Sequence, residues 1–361
     1  MSLATTMRRV LPLRWTWHSV ATQVGLEGTK IRGRVATTAL GRELQLSLRP
    51  PATLSRIQKR ADRLAVAYGV ARVRVKAHPL RADRVAISLD ERLGVGSIAF
   101  PIEQNPVGLP LNPLRPFPLG VDDNIDSVIG NFYGHHILIG GSPGAGKSNA
   151  LRVFLSHLAA SRNVALYGID PKHVELTLWK PRFSQLVLGN EVQPTTDLLT
   201  YLLFEIQIRA AHLANTGTAM LAPSPEYPWN VLIIEEWAEI AASGDTKERA
   251  AVSSLLRRYV SLGRAVGCTA ILCTQRPTSE VIDTGTRSLL NDRFSLRCGD
   301  KYQAEAILGT GTYDQTDLIG AEIGRALWTD GGRARPIQFY EISDETIPNL
   351  VCSGLRVVST N

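Results

Sequence analysis

The stretch that most narrows what this chain can fold into is HILIGGSPGAGKS, His136 to Ser148. Its apolar run ends at Ile139 and predicts a buried strand. Gly141 to Ser148 then satisfies G-x-x-x-x-G-K-[ST] at Gly141, Gly146, Lys147 and Ser148. A helical pattern follows from Asn149 to about Ala160, with Leu151, Phe154, Leu155 and Leu158 on one face. Strand, glycine-rich loop and helix in that order make a phosphate cradle. Glycines let backbone N–H groups converge on phosphate oxygens, and the helix N-terminus adds partial positive charge. The residues expected to hold ATP are Gly141, Ser142, Pro143, Gly144, Ala145, Gly146, Lys147, Ser148 and Asn149. Lys147 is expected at the β- and γ-phosphates and the Ser148 hydroxyl at Mg²⁺.

Around this loop the chain alternates short apolar runs with helical patterns. Strands are expected at Val164–Ile169, Leu186–Leu188, Val231–Ile234, Thr269–Cys273, Phe294–Arg297, Ala326–Thr329 and Pro336–Tyr340, and long helices at Thr195–Leu213 and Lys247–Val266. Continuous apolar strands separated by helices mean a mostly parallel sheet covered on both faces, whose ligands bind beyond the carboxyl ends of the strands. The fold class is therefore α/β, a P-loop NTPase core preceded by a small basic α+β domain.

That small domain is read at residues 1–100. Its strands are Leu44–Leu48, Val70–Lys76 and Val85–Leu89, with a helix from Ala52 to Tyr68, and Trp15 and Trp17 alternate in the manner of a strand. Residues 101–118 hold six prolines, at positions 101, 106, 110, 113, 116 and 118, and read as an extended linker. The motor-like domain occupies 119–361. Charge is divided along the same lines. Residues 1–119 carry 19 Lys and Arg against 7 Asp and Glu, and the remainder carries 21 against 26. A basic module beside a slightly acidic one points to an anionic partner, either nucleic acid or a membrane surface. No run approaches the roughly 18 apolar residues of a transmembrane helix. The four cysteines (Cys268, Cys273, Cys298 and Cys352) lack metal-ligand spacing, which fits a reducing, cytosolic setting. The localisation expected is cytoplasmic or peripheral at the cell membrane.

Two further features belong to the phosphate site. Val231–Ile234 ends in Glu235-Glu236, placing two carboxylates at the tip of a buried strand. In P-loop NTPases such a strand supplies the acid that holds Mg²⁺, and a neighbouring Glu is suited to activate the attacking water. Glu235 is assigned to the metal and Glu236 to the water, with Glu235 standing where Asp is usual. Gln275 follows the next apolar strand and is a candidate sensor of the γ-phosphate or the lytic water.

Four blocks in order, GGSPGAGKS, GIDPKHVEL (168–176), VLIIEEWAEI (231–240) and LGRAVGCTAILCTQRPTSEVI (262–282), resemble the FtsK/SpoIIIE family of DNA-pumping ATPases. The segments NDRFSLRCGDKYQAEAILG and GAEIGRALW follow the family's closing part, so the resemblance runs from about Leu119 to Ile347. Within the family, the small size and lack of membrane helices resemble the actinobacterial plasmid transfer proteins of the TraB and TraSA type. The resemblance implies a RecA-like motor, ATP and Mg²⁺ as cofactors, and a homo-oligomeric ring, a hexamer, that moves double-stranded DNA. It also implies a possible membrane-associated partner and a cation supplied between subunits. Arg264 is favoured for that cation over Arg276, Arg293 and Arg297. Two other readings stay open, a protein-secretion motor and a nucleotide-binding scaffold with little hydrolysis.

Overall fold

The structure, a computed structural model, describes residues 13–37, 41–78, 80–91, 96–100, 112–123, 125–275, 277–278, 281–310 and 318–356. The chain forms two compact units. One runs to Val95 and takes in Asp123–Asp126; the other comprises Gly96–Asp122 and Ser127 onward.

The first unit contains α1 (Leu13–Gln23), β1 (Thr29–Thr37), β2 (Gly41–Leu48), α2 (Leu54–Gln58), α3 (Ala61–Tyr68), β3 (Arg72–Ala77) and β4 (Arg84–Asp90). Its four strands form an antiparallel sheet in the order β1-β2-β4-β3. One sheet face is apolar. Ile31, Leu44, Leu46, Val73, Val75, Val85, Ile87 and Leu89 bury there against Trp17, Val20, Ile57, Leu64 and Tyr68 of the helices. Two expectations are corrected. Trp15 and Trp17 lie in a helix, because Leu13, Trp17, Val20, Ala21 and Val24 recur with helical period and are all buried. The expected single helix from Ala52 to Tyr68 is two, broken where Arg60 leaves helical geometry at φ −111° and ψ 5°.

The second unit is built on a sheet that, among the described residues, has eleven strands. In chain order these are β5 (Ile98–Ala99), β6 (Phe117–Val121), β7 (Ser127–Gly130), β8 (Ile137–Gly140), β9 (Val164–Asp170), β10 (Phe183–Leu188), β11 (Trp229–Ile234), β12 (Cys268–Thr274), β13 (Asp292–Leu296), β14 (Arg325–Thr329) and β15 (Arg335–Glu341). Their order is β10-β9-β11-β12-β8-β13-β14-β15-β6-β7, with β5 beside β15. The half from β10 to β13 is parallel, and β13-β14-β15-β6-β7 is antiparallel. The sheet is mixed and mostly parallel at the end that carries the phosphate loop. Of the proline-rich stretch, residues 101–111 lie outside the described residues, while Phe117 and Pro118 already belong to β6. Pro118 is tolerated because β15 pairs with β6 only from Gly120 onward.

The helices of this unit are α4 (Lys147–Ala159), α5 (Val192–Thr216), α6 (Trp237–Ala242), α7 (Thr246–Leu262), α8 (Thr284–Leu289), α9 (Lys301–Leu308) and α10 (Ile347–Arg356). A capping box starts α7, Asp245 accepting from the Lys247 and Glu248 N–H groups while Glu248 accepts from the Asp245 N–H. Leu198, Leu202 and Ile206 of α5 bury with Leu232, Ile234 and Leu272 of the central strands and Leu256 and Val260 of α7. Cys268, Cys273 and Cys298 are free and buried, and burial raises each thiol, so all three act as apolar filler.

Two imidazoles lie inside this core. His136 accepts the Ala270 N–H at Nδ1 (3.0 Å). His157 on α4 stacks on Phe117 with ring centroids 4.4 Å apart, and its Nε2 donates to the Pro118 carbonyl. Burial pushes both down to about 4. A histidine lowered in this way stabilises the fold above its unfolded value near 6.5, and that contribution is lost as pH falls toward 4. His157→Gln should therefore flatten the acid limb of the stability curve by about 2 kcal/mol between pH 7 and 4.5. Urea titrations across that range check it; an unchanged acid limb would mean that His157 does not titrate there.

Candidate active site

The loop after β8 is shaped by its glycines and gripped from beneath. Gly146 has φ 96°, and a Cβ there would lie 2.6 Å from the Gly324 nitrogen, so both conformation and space require glycine. The Ser142 N–H donates to the Arg297 carbonyl (2.9 Å), the Gly324 N–H to the Ala145 carbonyl (2.9 Å), and Arg297 Nη2 to the Gly144 carbonyl (3.1 Å). Ala150 is the first residue of α4 whose N–H finds a main-chain acceptor, at Gly146. Among the described residues, the N–H groups of Gly144, Gly146, Lys147, Ser148 and Asn149 meet no acceptor. These converging donors at a helix N-terminus fit a polyphosphate.

The acids arrive through strand register. Ile234 of β11 pairs with Ile169 of β9 and Leu272 of β12, and Gly140 of β8 pairs with Thr274. Asp170, Glu235, Glu236, Gln275 and the loop therefore leave the sheet at one edge. Glu236 is buried and held on several sides. Lys147 Nζ lies 3.5 Å and Lys172 Nζ 3.7 Å from its Oε2, and the Gln275 N–H donates to both carboxylate oxygens at 3.0 and 3.2 Å. Glu235 is buried too, and among the described residues its Oε2 has no hydrogen-bond partner. Burial raises its carboxyl above the ordinary range, Lys147 and Lys172 pull it back, and Asp170 and Glu236 push it further up. A buried carboxylate oxygen without a donor, beside a phosphate cradle, fits an Mg²⁺ site shared with Ser148. Such an ion would neutralise charge on the β- and γ-phosphates.

The expected residues divide by position. Gly141 to Ser148, Glu235, Glu236 and Gln275 come together, although Gln275 meets Glu236 through its main chain. Asn149 is corrected in part. Its side chain bridges the Tyr340 carbonyl (2.7 Å) and the Ile342 N–H (2.9 Å), which leaves only its N–H for a ligand. Arg264 is exposed in a short 3₁₀ turn before β12, at the sheet edge opposite the loop. Arg276 lies outside the described residues. Arg293 is spent on the Leu290 and Arg287 carbonyls. Two residues of the site were not singled out from the sequence, Asp170 and Lys172, while Arg297, weighed there as a trans cation, bonds its own loop. Buried Asp170 accepts the Lys172 and Leu176 N–H groups (3.1 and 3.0 Å) and so fixes the turn that carries Lys172. The signal was present in the Asp170-Pro171-Lys172 that ends an apolar strand.

Residues 115–231 match the FtsK/SpoIIIE family. The match includes the phosphate loop and Lys172 and ends just before the acidic pair. The chain is 25% identical over 324 residues to the DNA translocase FtsK of Listeria monocytogenes, covering 82% of this chain and 41% of that protein. It thus spans less than half the length of that relative. Among solved structures, the conjugation coupling protein TcpA of pCW3 superposes with a TM-score of 0.64 at 19% identity, covering 95% of this chain and 99% of that one. EssC (ATPases 2 and 3) of Geobacillus thermodenitrificans superposes at 0.60 with 16% identity, over 72% and 51%. Residues 115–231 thus resemble the FtsK/SpoIIIE family, and the chain is distantly similar to the FtsK translocases. Among the described residues no helix is long and apolar enough to cross a membrane.

Glu235→Gln separates the cost of burying this charge from its use. At pH 7 a carboxyl held above its ordinary range is ionised at a penalty, which a neutral amide avoids. The variant without nucleotide should melt about 1–3 °C higher than the parent, and magnesium with a slowly hydrolysed ATP analogue should stabilise it less. Thermal melts with and without the analogue test both halves.

Proposed function

We propose that this chain is an ATP-driven translocase of double-stranded DNA serving conjugative transfer of a plasmid or integrative element. It works as a ring of identical subunits, a hexamer, in the cytoplasm or peripherally at the cell membrane. The observation that carries the reading is the Lys147–Glu236–Gln275 cluster beside the loop donors, within a chain whose family match and relatives are DNA translocases. The likeness in fold to a conjugation coupling protein supports the transfer role.

In this reading Lys147 and the loop N–H groups bind the β- and γ-phosphates of ATP, and Ser148 and Glu235 hold the magnesium. Glu236 accepts a proton from the attacking water, and the Gln275 N–H fixes its carboxylate. Arg264 cannot reach its own loop from the far edge of the sheet, so it serves a neighbouring subunit as the trans cation. A likeness in fold to EssC and to the cytoplasmic domain of a type VII secretion ATPase, EccC, motivates a second reading, a protein-secretion motor. Duplex against secreted peptide as the stimulant of turnover decides between the two.

Turnover should rise with duplex DNA at low salt and lose that stimulation as salt increases, because phosphate contacts release counterions. Glu236→Gln should lower it about 10²–10⁴-fold while still binding nucleotide. A parent enzyme indifferent to duplex at every salt concentration would sink the translocase reading.

The trans role of Arg264 has its own test. Lys147→Ala subunits lack the phosphate ligand and Arg264→Ala subunits lack the cation, so each alone should be inactive. Mixed, they should regain part of the activity, at interfaces where an intact loop meets an intact Arg264. Mixtures as inactive as the separate variants would assign Arg264 a structural role.

A further inference from the structure

The apolar face of the first unit's sheet is covered by its own helices, and the opposite face is polar. Strand alternation places Lys30, Arg32 and Arg34 of β1, Gln45 and Ser47 of β2, Arg84, Ala86 and Ser88 of β4, and Lys76 of β3 on that second face. Register lines them up. Lys30 pairs with Ser47, which pairs with Arg84; Arg32 pairs with Gln45, which pairs with Ala86, which pairs with Lys76. Edge strands β1 and β3 thus carry cations three strand spacings or about 14 Å apart, with Arg84 of β4 between them. Lys30, Arg32, Arg34 and Lys76 are exposed, and among the described residues none makes an ion pair. The face's own acids are engaged by other residues of the same face. Asp90 holds Arg72 and Arg74, and Glu43 accepts from Ser88.

We propose that this polar face is a docking surface for the phosphate backbone of duplex DNA, contacted by Lys30, Arg32, Arg34 and Lys76. The proposal rests on the translocase reading and gives the basic unit its part in it. Charge complementarity selects an anionic partner, and the face discriminates among anions. Among the described residues it carries no aromatic platform on which unpaired bases could stack, since Trp17 and Tyr68 are buried on the other side. It also lacks the large apolar side chains that a membrane-surface site inserts. Alternate residues along β1 are about 6.8 Å apart, close to twice the 3.4 Å rise per phosphate of one DNA strand. The contacts expected are with backbone, so binding should not depend on sequence.

The test uses the full chain with Lys30, Arg32, Arg34 and Lys76 all changed to Gln, beside a charge-keeping variant with Lys30→Arg, Arg32→Lys, Arg34→Lys and Lys76→Arg. Duplex binding is followed by fluorescence anisotropy from 50 to roughly 300 mM salt, the range over which phosphate contacts dominate. The Gln variant should bind at least tenfold more weakly at low salt, with a salt slope smaller by about 3.6, near 0.9 for each of the lost phosphate contacts. Its ATPase rate without DNA and its melting temperature should equal the parent's, and the charge-keeping variant should bind as the parent does. Unchanged affinity and slope in the Gln variant would overturn the proposal. So would a variant that loses only binding to phosphatidylserine vesicles, or only binding to single strands, while duplex binding persists. A parent that neither binds duplex nor is stimulated by it fails the translocase reading itself; a stimulated parent with an unaffected Gln variant fails this proposal alone.

Discussion

The site depends on how one buried carboxylate is compensated. Glu236 draws on two ammonium groups and a main-chain N–H, and all three come from elements that end at the same edge of the sheet. A buried carboxylate without partners would cost several kcal/mol, so its position is affordable only because β8, β9 and β12 deliver donors to it together. Lys147 is the donor with two claims on it, since the same ammonium is placed to meet a phosphate. Lys172 has only one. It can keep Glu236 compensated while phosphate oxygens draw Lys147 away. Glu235, one residue earlier, is raised by its burial more than Lys147 and Lys172 draw it back.

Sheet architecture explains why these groups meet. Parallel neighbours end at the same side, so register alone brings Gly141, Asp170, Glu235 and Gln275 to one edge. Beyond β13 the strands run antiparallel, yet that half still supports the loop from below. Arg297 follows β13, and Gly324 precedes β14. Each bonds the loop's backbone, and Asn149 ties the start of α4 to the end of β15. The antiparallel extension therefore braces the cradle without supplying any of its expected chemistry.

What could be read from the residues follows burial. The central strands β8, β9, β11 and β12 are apolar on both faces, and the phosphate loop has fixed positions, so fold class and loop were legible at once. The strand β1 was not, because it is an edge strand in which Ile31 is the one fully buried residue and no alternation of hydrophobicity marks it. Trp15 and Trp17 misled because a spacing of two outweighed a helical pattern spread over eleven residues. Lys172, and the contact that Arg297 makes with its own loop, escaped for another reason. Their importance lies in which distant backbone or carboxylate they touch, and no local pattern encodes a contact with Glu236 or Gly144. Asn149 shows the converse: its place beside the loop suggested a ligand contact, while its amide serves a strand nearly two hundred residues away.

Arg264 shows how the same sheet makes a single copy insufficient. The loop and both acids leave at the carboxyl ends of the strands, whereas Arg264 precedes β12 at the amino end, and the seven residues of that strand span about 23 Å. No side chain covers that distance. If a cation from this turn completes the phosphate site, it completes a neighbour's, and the neighbour's turn completes this one. Each subunit then couples the two edges of its sheet, reading one partner's nucleotide at the amino end while its own is read at the carboxyl end.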